Sequence, residues 1–297
     1  MTTTVTAPAP RPTAPDDAVP RRRRYRGRRA GLWTYAALVA ILLGSVFPIY
    51  WSLVVASHTN EAIAKVPPVL VPGGHLLENI ARVFDTTEFG KALLNSFIVS
   101  GSVTVSVVFF STLAGFAFAK LRFRGRNALL VAAIATTTVP QQLGIIPLYI
   151  MMGELGWTGR IEAVIVPGLV TAFGVFFMTQ YLTSAVPNEL LEAGRVDGCS
   201  TLRLFWHVVL PASRPAAAVL GLFTFMQAWN DFFWPLVVLT PENPTVQVAL
   251  SALASGYTTD YALVLTGTVL ATVPIMVVFA LLGRQIIGGI MSGAIKG

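Results

Sequence analysis

Glu192-Ala193-Gly194-Arg195-Val196-Asp197-Gly198, continuing to Val208-Val209-Leu210-Pro211, is a polar interruption between two long apolar runs. A turn between two membrane helices needs only a few polar residues, whereas this segment occupies residues 185–214. Pro187 is tolerated at a helix start, and Asn188 to Arg195 can form about two turns before Asp197-Gly198 breaks them. Ser200 is placed to cap a second short helix from Thr201 to Val209, with Leu202, Phe205 and Val209 on one face and Pro211 ending it. The pattern predicts a helix, a glycine turn and a helix, either gripped by a soluble partner or resting on lipid headgroups as an amphipathic pair.

The sequence on either side places this segment in a membrane protein. The 297 residues are 54% hydrophobic and 12% charged, with a mean hydropathy of +0.68, and the charges cluster between apolar runs. That is an integral-membrane composition. Crossing the hydrocarbon core takes roughly 20 apolar residues as a helix, because lipid offers no partner for an unpaired backbone group. Six stretches qualify: Leu32 to Ala56, Leu93 to Ala119, Leu129 to Met152, Ala163 to Leu182, Ala216 to Leu239 and Tyr261 to Leu282. The expected fold is all-α and integral to the membrane, with no alternation of the β-barrel kind.

Lysine and arginine close to a span resist translocation, so their distribution gives orientation. Seventeen fall on one side: eight in the amino-terminal tail, Lys120, Arg122, Arg124 and Arg126 after span two, Arg195, Arg203 and Arg214 after span four, and Arg284 and Lys296 at the carboxyl end. Four fall on the other, namely Lys65, Arg82, Lys91 and Arg160. An even number of spans with both termini cytoplasmic satisfies this asymmetry. Residues 1–29, rich in Thr, Pro, Ala and Arg, read as a disordered basic cytoplasmic tail, and residues 30–297 as one membrane domain. The first apolar run is too long for the core of a cleaved signal. The net charge of +7 is thus a topology signal, with no nucleic-acid partner expected.

The chemistry that could power or catalyse a reaction is sparse. His58, His75 and His207 have no partner at metal-ligand spacing, Cys199 is the single cysteine, and no Gly-x4-Gly-Lys-Ser/Thr loop or Gly-x-Ser-x-Gly motif occurs. No metal and no cofactor are expected in this chain. Ser96, Ser100 and Ser102 beside Gly101 fit small-residue helix packing. Within the spans the candidate acids are Glu162, at an outer edge, and Asp231, well inside span five. Asp231 reads either as a polar contact between helices or as part of a polar pathway, with Asn230 and the flat faces of Trp229 and Trp234 suiting a sugar-sized polyol.

With these residues set out, the segment resembles a known signature. Glu192-Ala193-Gly194, three residues, Gly198, nine residues, Val208, one residue and Leu210-Pro211 match in spacing the Glu-Ala-Ala-x3-Gly-x9-Ile-x-Leu-Pro motif of permease subunits in bacterial binding-protein-dependent ABC importers. Gly194 replaces the second alanine and Val208 the isoleucine. Phe116 to Arg126, Trp229 to Leu236 and the terminal Gly293-Ala294-Ile295-Lys296-Gly297 are similar to the carbohydrate branch, specifically its maltose-type second permease subunit.

The resemblance implies a six-span permease subunit in the bacterial plasma membrane with a cytoplasmic helix-turn-helix coupling loop. It implies Glu192, Ala193, Gly194, Asp197, Gly198, Leu210 and Pro211 as ATPase-coupling residues, with Trp229, Asn230 and Asp231 as a candidate translocation pathway. The implied partners are a second permease subunit, two cytoplasmic ATPase subunits that bind ATP and Mg, an extracellular solute-binding protein facing about His58 to Lys91 and Pro241 to Asp260, membrane lipid and a sugar. The same architecture could carry a peptide, amino acid or polyol phosphate. A secondary carrier independent of ATP and a membrane scaffold are readings from other classes.

Overall fold

A computed structural model of the chain describes residues 31–63, 65–255 and 259–294, with side chains up to 283. The basic tail of residues 1–29 lies outside the described residues, as do residues 295–297 of the terminal motif. The chain divides into two units. In the first, which ends at Val46, the described residues from Leu32 on are helical. The second, from Phe47 onward, holds everything else discussed below.

Among the described residues the elements are all helical. In order they are α1 (Leu32–Ala56), α2 (Asn60–Ile63), α3 (Leu76–Thr86), α4 (Phe89–Lys120), α5 (Arg126–Ala135), α6 (Ile145–Glu154), α7 (Glu162–Ile165) and α8 (Ala172–Ala185). There follow α9 (Asn188–Val196), α10 (Thr201–Leu204), α11 (Leu210–Trp229), α12 (Phe233–Val238), α13 (Val246–Leu253) and α14 (Tyr261–Ala294). Five stretches are long and apolar enough to cross a membrane, and a bent pair makes a sixth.

That bent pair is the expected third span, and it is not one straight helix from Leu129 to Met152. It comprises Arg126–Thr138 and Gln141–Glu154, which meet at 89°. Pro140 has no N–H to donate and drives Val139 into an extended conformation (φ −81°, ψ 121°), so the helix stops there. Pro140 leaves Thr136 O without its usual donor, which would be costly in lipid, and Val139 N donates to it instead at 3.2 Å. Thr136, Thr137 and Thr138 each turn a hydroxyl back onto the third residue upstream, Ala133, Ile134 and Ala135, at 2.7 Å.

Span four also has an irregular stretch, but without a sharp bend. The segment Val166–Gly168 tightens around Pro167, and the helix restarts at α8 with Thr171 Oγ1 accepting from Gly174 N at 3.1 Å. Ser106 Oγ of α4 donates to Leu169 O at 2.8 Å, satisfying a carbonyl at the break.

The centre of the second unit is α4, against which α8 and α11 pack. The α4–α8 crossing is set by two glycines, Gly115 and Gly174. A Cβ on Gly115 would lie 2.8 Å from Met178 Cβ and 2.9 Å from Thr179 N, and one on Gly174 would collide with Ser111 Oγ. Without hydrophobic pressure between helices in lipid, such close backbone approach is what holds them together. Ser96 and Ser100 are buried on this helix, as small-residue packing predicts, but Ser102 is exposed and a Cβ on Gly101 would meet nothing within 4 Å. Gly101 and Ser102 sit on the outward side of α4.

The two ends of the bundle are distinct. At one, Lys120 Nζ at the end of α4 donates to Thr183 O (3.0 Å) and Asn188 Oδ1 (3.3 Å), tying the loop after α4 to the start of α9. At the other, Asn95 Nδ2 donates to Pro244 O and Asn243 Oδ1, both at 2.9 Å, and Lys91 Nζ to Glu242 O at 2.7 Å. There too Arg82 Nη2 of α3 meets Asp260 Oδ2 at 2.6 Å, and Asp260 Oδ1 accepts from Leu263 N at 3.1 Å to start α14. The segments 58–91 and 241–260 therefore share one end, and 120–126 and 185–214 the other.

Candidate functional site

The polar interruption folds as a helix, a left-handed turn and a second helical segment. Pro187, extended at ψ 142°, precedes α9. Gly198 adopts φ +79°, Gly198 N donates to Arg195 O (3.0 Å) and Cys199 N to Gly194 O (2.8 Å). These two bonds are the Schellman closure of a helix, which requires a residue comfortable in the left-handed region at this place. Ser200 then caps the next segment, its hydroxyl accepting from Arg203 N at 3.3 Å.

The second segment departs from the sequence expectation in two ways. Helix α10 is only four residues, and Phe205–Val209 forms a π turn in which Leu210 N donates back to Phe205 O. Helical geometry then runs on without a stop into α11, so Pro211 does not end the helix but sits in the first turn of α11. A proline ring clashes with the carbonyl four residues back, and the wider π turn immediately upstream makes room for it. The same turn changes which residues share a face. Leu202 is 62% exposed, while Leu204, Phe205 and Val209 are buried, because five residues in one wide turn rotate the strip away from 3.6-residue spacing.

One side of this motif is fixed to the bundle. Leu191, Leu204, Phe205 and Val209 pack with Phe116, Leu182 and Val186 from the ends of α4 and α8. Phe205 lies edge-on to Phe109 at 6.2 Å and also stacks near Phe116 at 6.1 Å. Burying side chains of this size is worth roughly 1.5–3 kcal/mol each. The other side is free: Glu192, Ala193, Arg195, Val196, Asp197, Gly198 and Pro211 are exposed, and Leu210 is half-buried. Among the described residues, Glu192, Arg195 and Asp197 have no ion-pair partner.

Gly194, which departs from the alanine of the resembling signature, has a local reason. A Cβ there would lie 2.6 Å from Leu204 Cδ2, so Leu204 occupies the space an alanine methyl would need.

A second polar place lies where α11 ends. Span five was expected as one run from Ala216 to Leu239; instead Asn230-Asp231-Phe232 separates α11 from α12. Asn230 Nδ2 donates to Met226 O (2.8 Å), and Asn230 Oδ1 accepts from Gln247 Nε2 (3.3 Å). Asp231 is half-buried at the break, not within a helix. Trp229 differs from expectation: its ring is 1% exposed, stacked on Phe225 at 5.6 Å inside the core with Phe89 and Val246, so it presents no face to a solute. Trp234 Nε1 is held by Ala163 O at 3.0 Å. Gln247, on α13, was not foreseen; it lies outside every apolar span and only the tertiary contact with Asn230 brings it here. Among the described residues no three His, Cys, Asp or Glu side chains cluster to hold a metal.

Residues 108–288 match the family described as binding-protein-dependent transport system inner membrane component. The chain is 31% identical over 272 residues to the lactose transport system permease protein LacG of Rhizobium radiobacter, covering 91% of this chain and 98% of that protein. It is 29% identical over 273 residues to the sn-glycerol-3-phosphate transport system permease protein UgpE of Yersinia pestis, covering 89% and 97%. With the arabinooligosaccharides transport system permease protein AraQ of Halalkalibacterium halodurans it shares 30% over 261 residues, covering 85% and 92%. In fold it is similar to a chain in the crystal structure of a bacterial ABC transporter involved in the import of the acidic polysaccharide alginate, with a TM-score of 0.74, 22% identity, and coverage of 85% of this chain and 95% of that one.

Proposed function

This chain belongs to the family of binding-protein-dependent transport system inner membrane components, and from that membership we propose that it is the permease subunit of an ATP-driven importer of a sugar or oligosaccharide. It is a transport component of the inner membrane and not an enzyme. In this reading it pairs with a second permease subunit, either a related chain or a second copy, and with two cytoplasmic ATPase subunits that bind ATP and Mg. An extracellular solute-binding protein delivers cargo at the end formed by segments 58–91 and 241–260. Both termini are cytoplasmic, as the charge asymmetry favours.

The observation that carries the reading is the two-sidedness of the segment around Gly198. Its inner side is locked into the ends of α4 and α8, while Glu192, Ala193, Val196 and Gly198 stand exposed. A surface exposed on a rigid mount suits the transfer of a push. Closure of the ATPase pair would displace α9 and α10 as a body, and the packing behind them would carry that displacement into the bundle. Glu192 supplies the polar contact, the Gly198 turn the shape, and Gly194, Asp197, Leu210 and Pro211 the frame.

Asn230, Asp231 and Gln247 are the residues proposed to meet solute. Two amides and a carboxylate offer donors and acceptors suited to hydroxyl groups. The names of LacG and AraQ support a saccharide. UgpE carries the one observation for a second reading, a polyol phosphate. A carboxylate at Asp231 would repel a phosphate dianion, which favours the saccharide.

The test is uptake by the reconstituted complex with its co-encoded partners. Glu192→Ala should weaken ATPase association and uptake while membrane insertion stays intact. Uptake that persists without ATP would refute an ATP-driven importer, and unchanged association would refute the docking role. Ligand screening of the binding protein decides between saccharide and phosphate ester.

A further inference from the structure

The loop after α4 borders an open depression of about 420 Å³ lined by Arg122, Phe123, Gly125, Arg126, Asn127 and Ala128. Arg122 and Arg126 both line it, and among the described residues neither forms an ion pair. Arg126 is held in place by neutral acceptors only, Leu121 O and Asn127 Oδ1, both at 3.4 Å. Its charge is therefore positioned without being neutralised. The third arginine of the loop, Arg124, is exposed like Arg122 but does not line the depression.

The surroundings say what kind of anion fits. The depression opens where two apolar helices meet water: α4 ends at Lys120, and α5 begins at Arg126 with none of its residues buried in the chain. Leu129 and Val131 are 56% and 65% exposed along α5, and Phe123 is 42% exposed beside the arginines. A free phosphate has no use for an apolar flank. A phospholipid has, because its headgroup and its chains need a charged and an apolar surface next to one another.

We propose that Arg122 and Arg126 form a binding site for the phosphate headgroup of an anionic phospholipid, whose acyl chains lie along Leu129 and Val131 of α5. Guanidinium groups match phosphate oxygens in pairs, which gives the site geometry as well as charge. The loop is tied through Lys120 to Thr183 and Asn188 at the start of α9, so an occupied site would brace the mount of that helix.

The test uses the intact transporter purified with its partners into nanodiscs of phosphatidylcholine containing phosphatidylglycerol. The readout is the phosphatidylglycerol retained per complex, by native mass spectrometry. Each of Arg122→Gln and Arg126→Gln should lower retention about fivefold, while Arg124→Gln, with the same lost charge in the same loop, should leave it unchanged. Equal losses in all three would mean diffuse attraction and overturn the site. Loss of the ATPase subunit from the Arg122 or Arg126 variants would assign these arginines to a protein contact and also overturn it. Displacement of the lipid by millimolar inorganic phosphate would show a free-anion site instead. If the glutamine variants fail to insert, Arg122→Lys and Arg126→Lys keep the charge and lose the planar fork. Retention no lower than in Arg124→Lys would then refute the proposal.

Discussion

Replacing Gly198 isolates the contribution of one backbone conformation to coupling. The residue sits at φ +79°, and a Cβ added there would meet nothing within 4 Å. Gly198→Ala therefore creates no clash, and its whole cost is the left-handed penalty of about 1–2 kcal/mol. Asparagine tolerates that region better than alanine. Proline cannot reach it, and it also removes the Gly198 N to Arg195 O bond. A cost of 1–2 kcal/mol falls on the formed turn and changes its ratio to opened forms by a factor of roughly 5–30. The expected order of ATPase retention and ATP-driven uptake is Gly, then Asn, then Ala, with Pro abolishing both. The assay is co-purification of the ATPase subunit from membranes, with uptake measured in proteoliposomes and insertion checked by total permease. Alanine equal to glycine, or asparagine worse than alanine, would refute the argument that the turn's dihedral angle carries the docking shape.

Three further outcomes follow from the packing and the polar break. Gly115→Ala should destabilise the detergent-solubilised complex by about 1–3 kcal/mol, read as a lower melting temperature, since the backbone of α8 stands where the methyl would go. Gly194→Ala gains up to ~1 kcal/mol in helix propensity but collides with Leu204. A double-mutant cycle with Leu204→Val should show a coupling of about 0.5–3 kcal/mol that favours the double variant, and additive effects would refute the contact. Asn230→Ala and Gln247→Ala should alter the rate or affinity of uptake without loss of expression, and unchanged kinetics in both would remove the break from the pathway.

The spans were legible in the sequence because lipid imposes one demand on every residue in them, and a run of apolar side chains meets it. Their interruptions were not, although Pro140 and Pro167 stand in plain view. A proline breaks a span only if neighbours satisfy the freed carbonyls, and here that depends on Val139 N for Thr136 O and on Trp234 Nε1 of another helix for Ala163 O. The docking segment was legible down to its glycine turn and its Ser200 cap, which are local. The orientation of Leu202 was misjudged because a π turn leaves no mark in residue spacing. Trp229 was misplaced for a different reason: an indole beside polar residues reads as a binding face until a core closes over it. Gln247 and the pair Gly115 and Gly174 act through contacts distant in sequence, which a single chain read linearly does not disclose.

The continuity of helix from Thr201 to Trp229 joins the two polar places. These 29 residues form one uninterrupted rod, about 43 Å long at 1.5 Å per residue. One tip is α10, at the exposed mount; the next residue beyond the other is Asn230. A rod transmits thrust along its axis without needing a relay of side chains, and its winding is widest at Phe205–Val209. Insertion or removal of a single residue in that turn would rotate one tip against the other by about 100°, so the length of this segment fixes the angular register between the two ends.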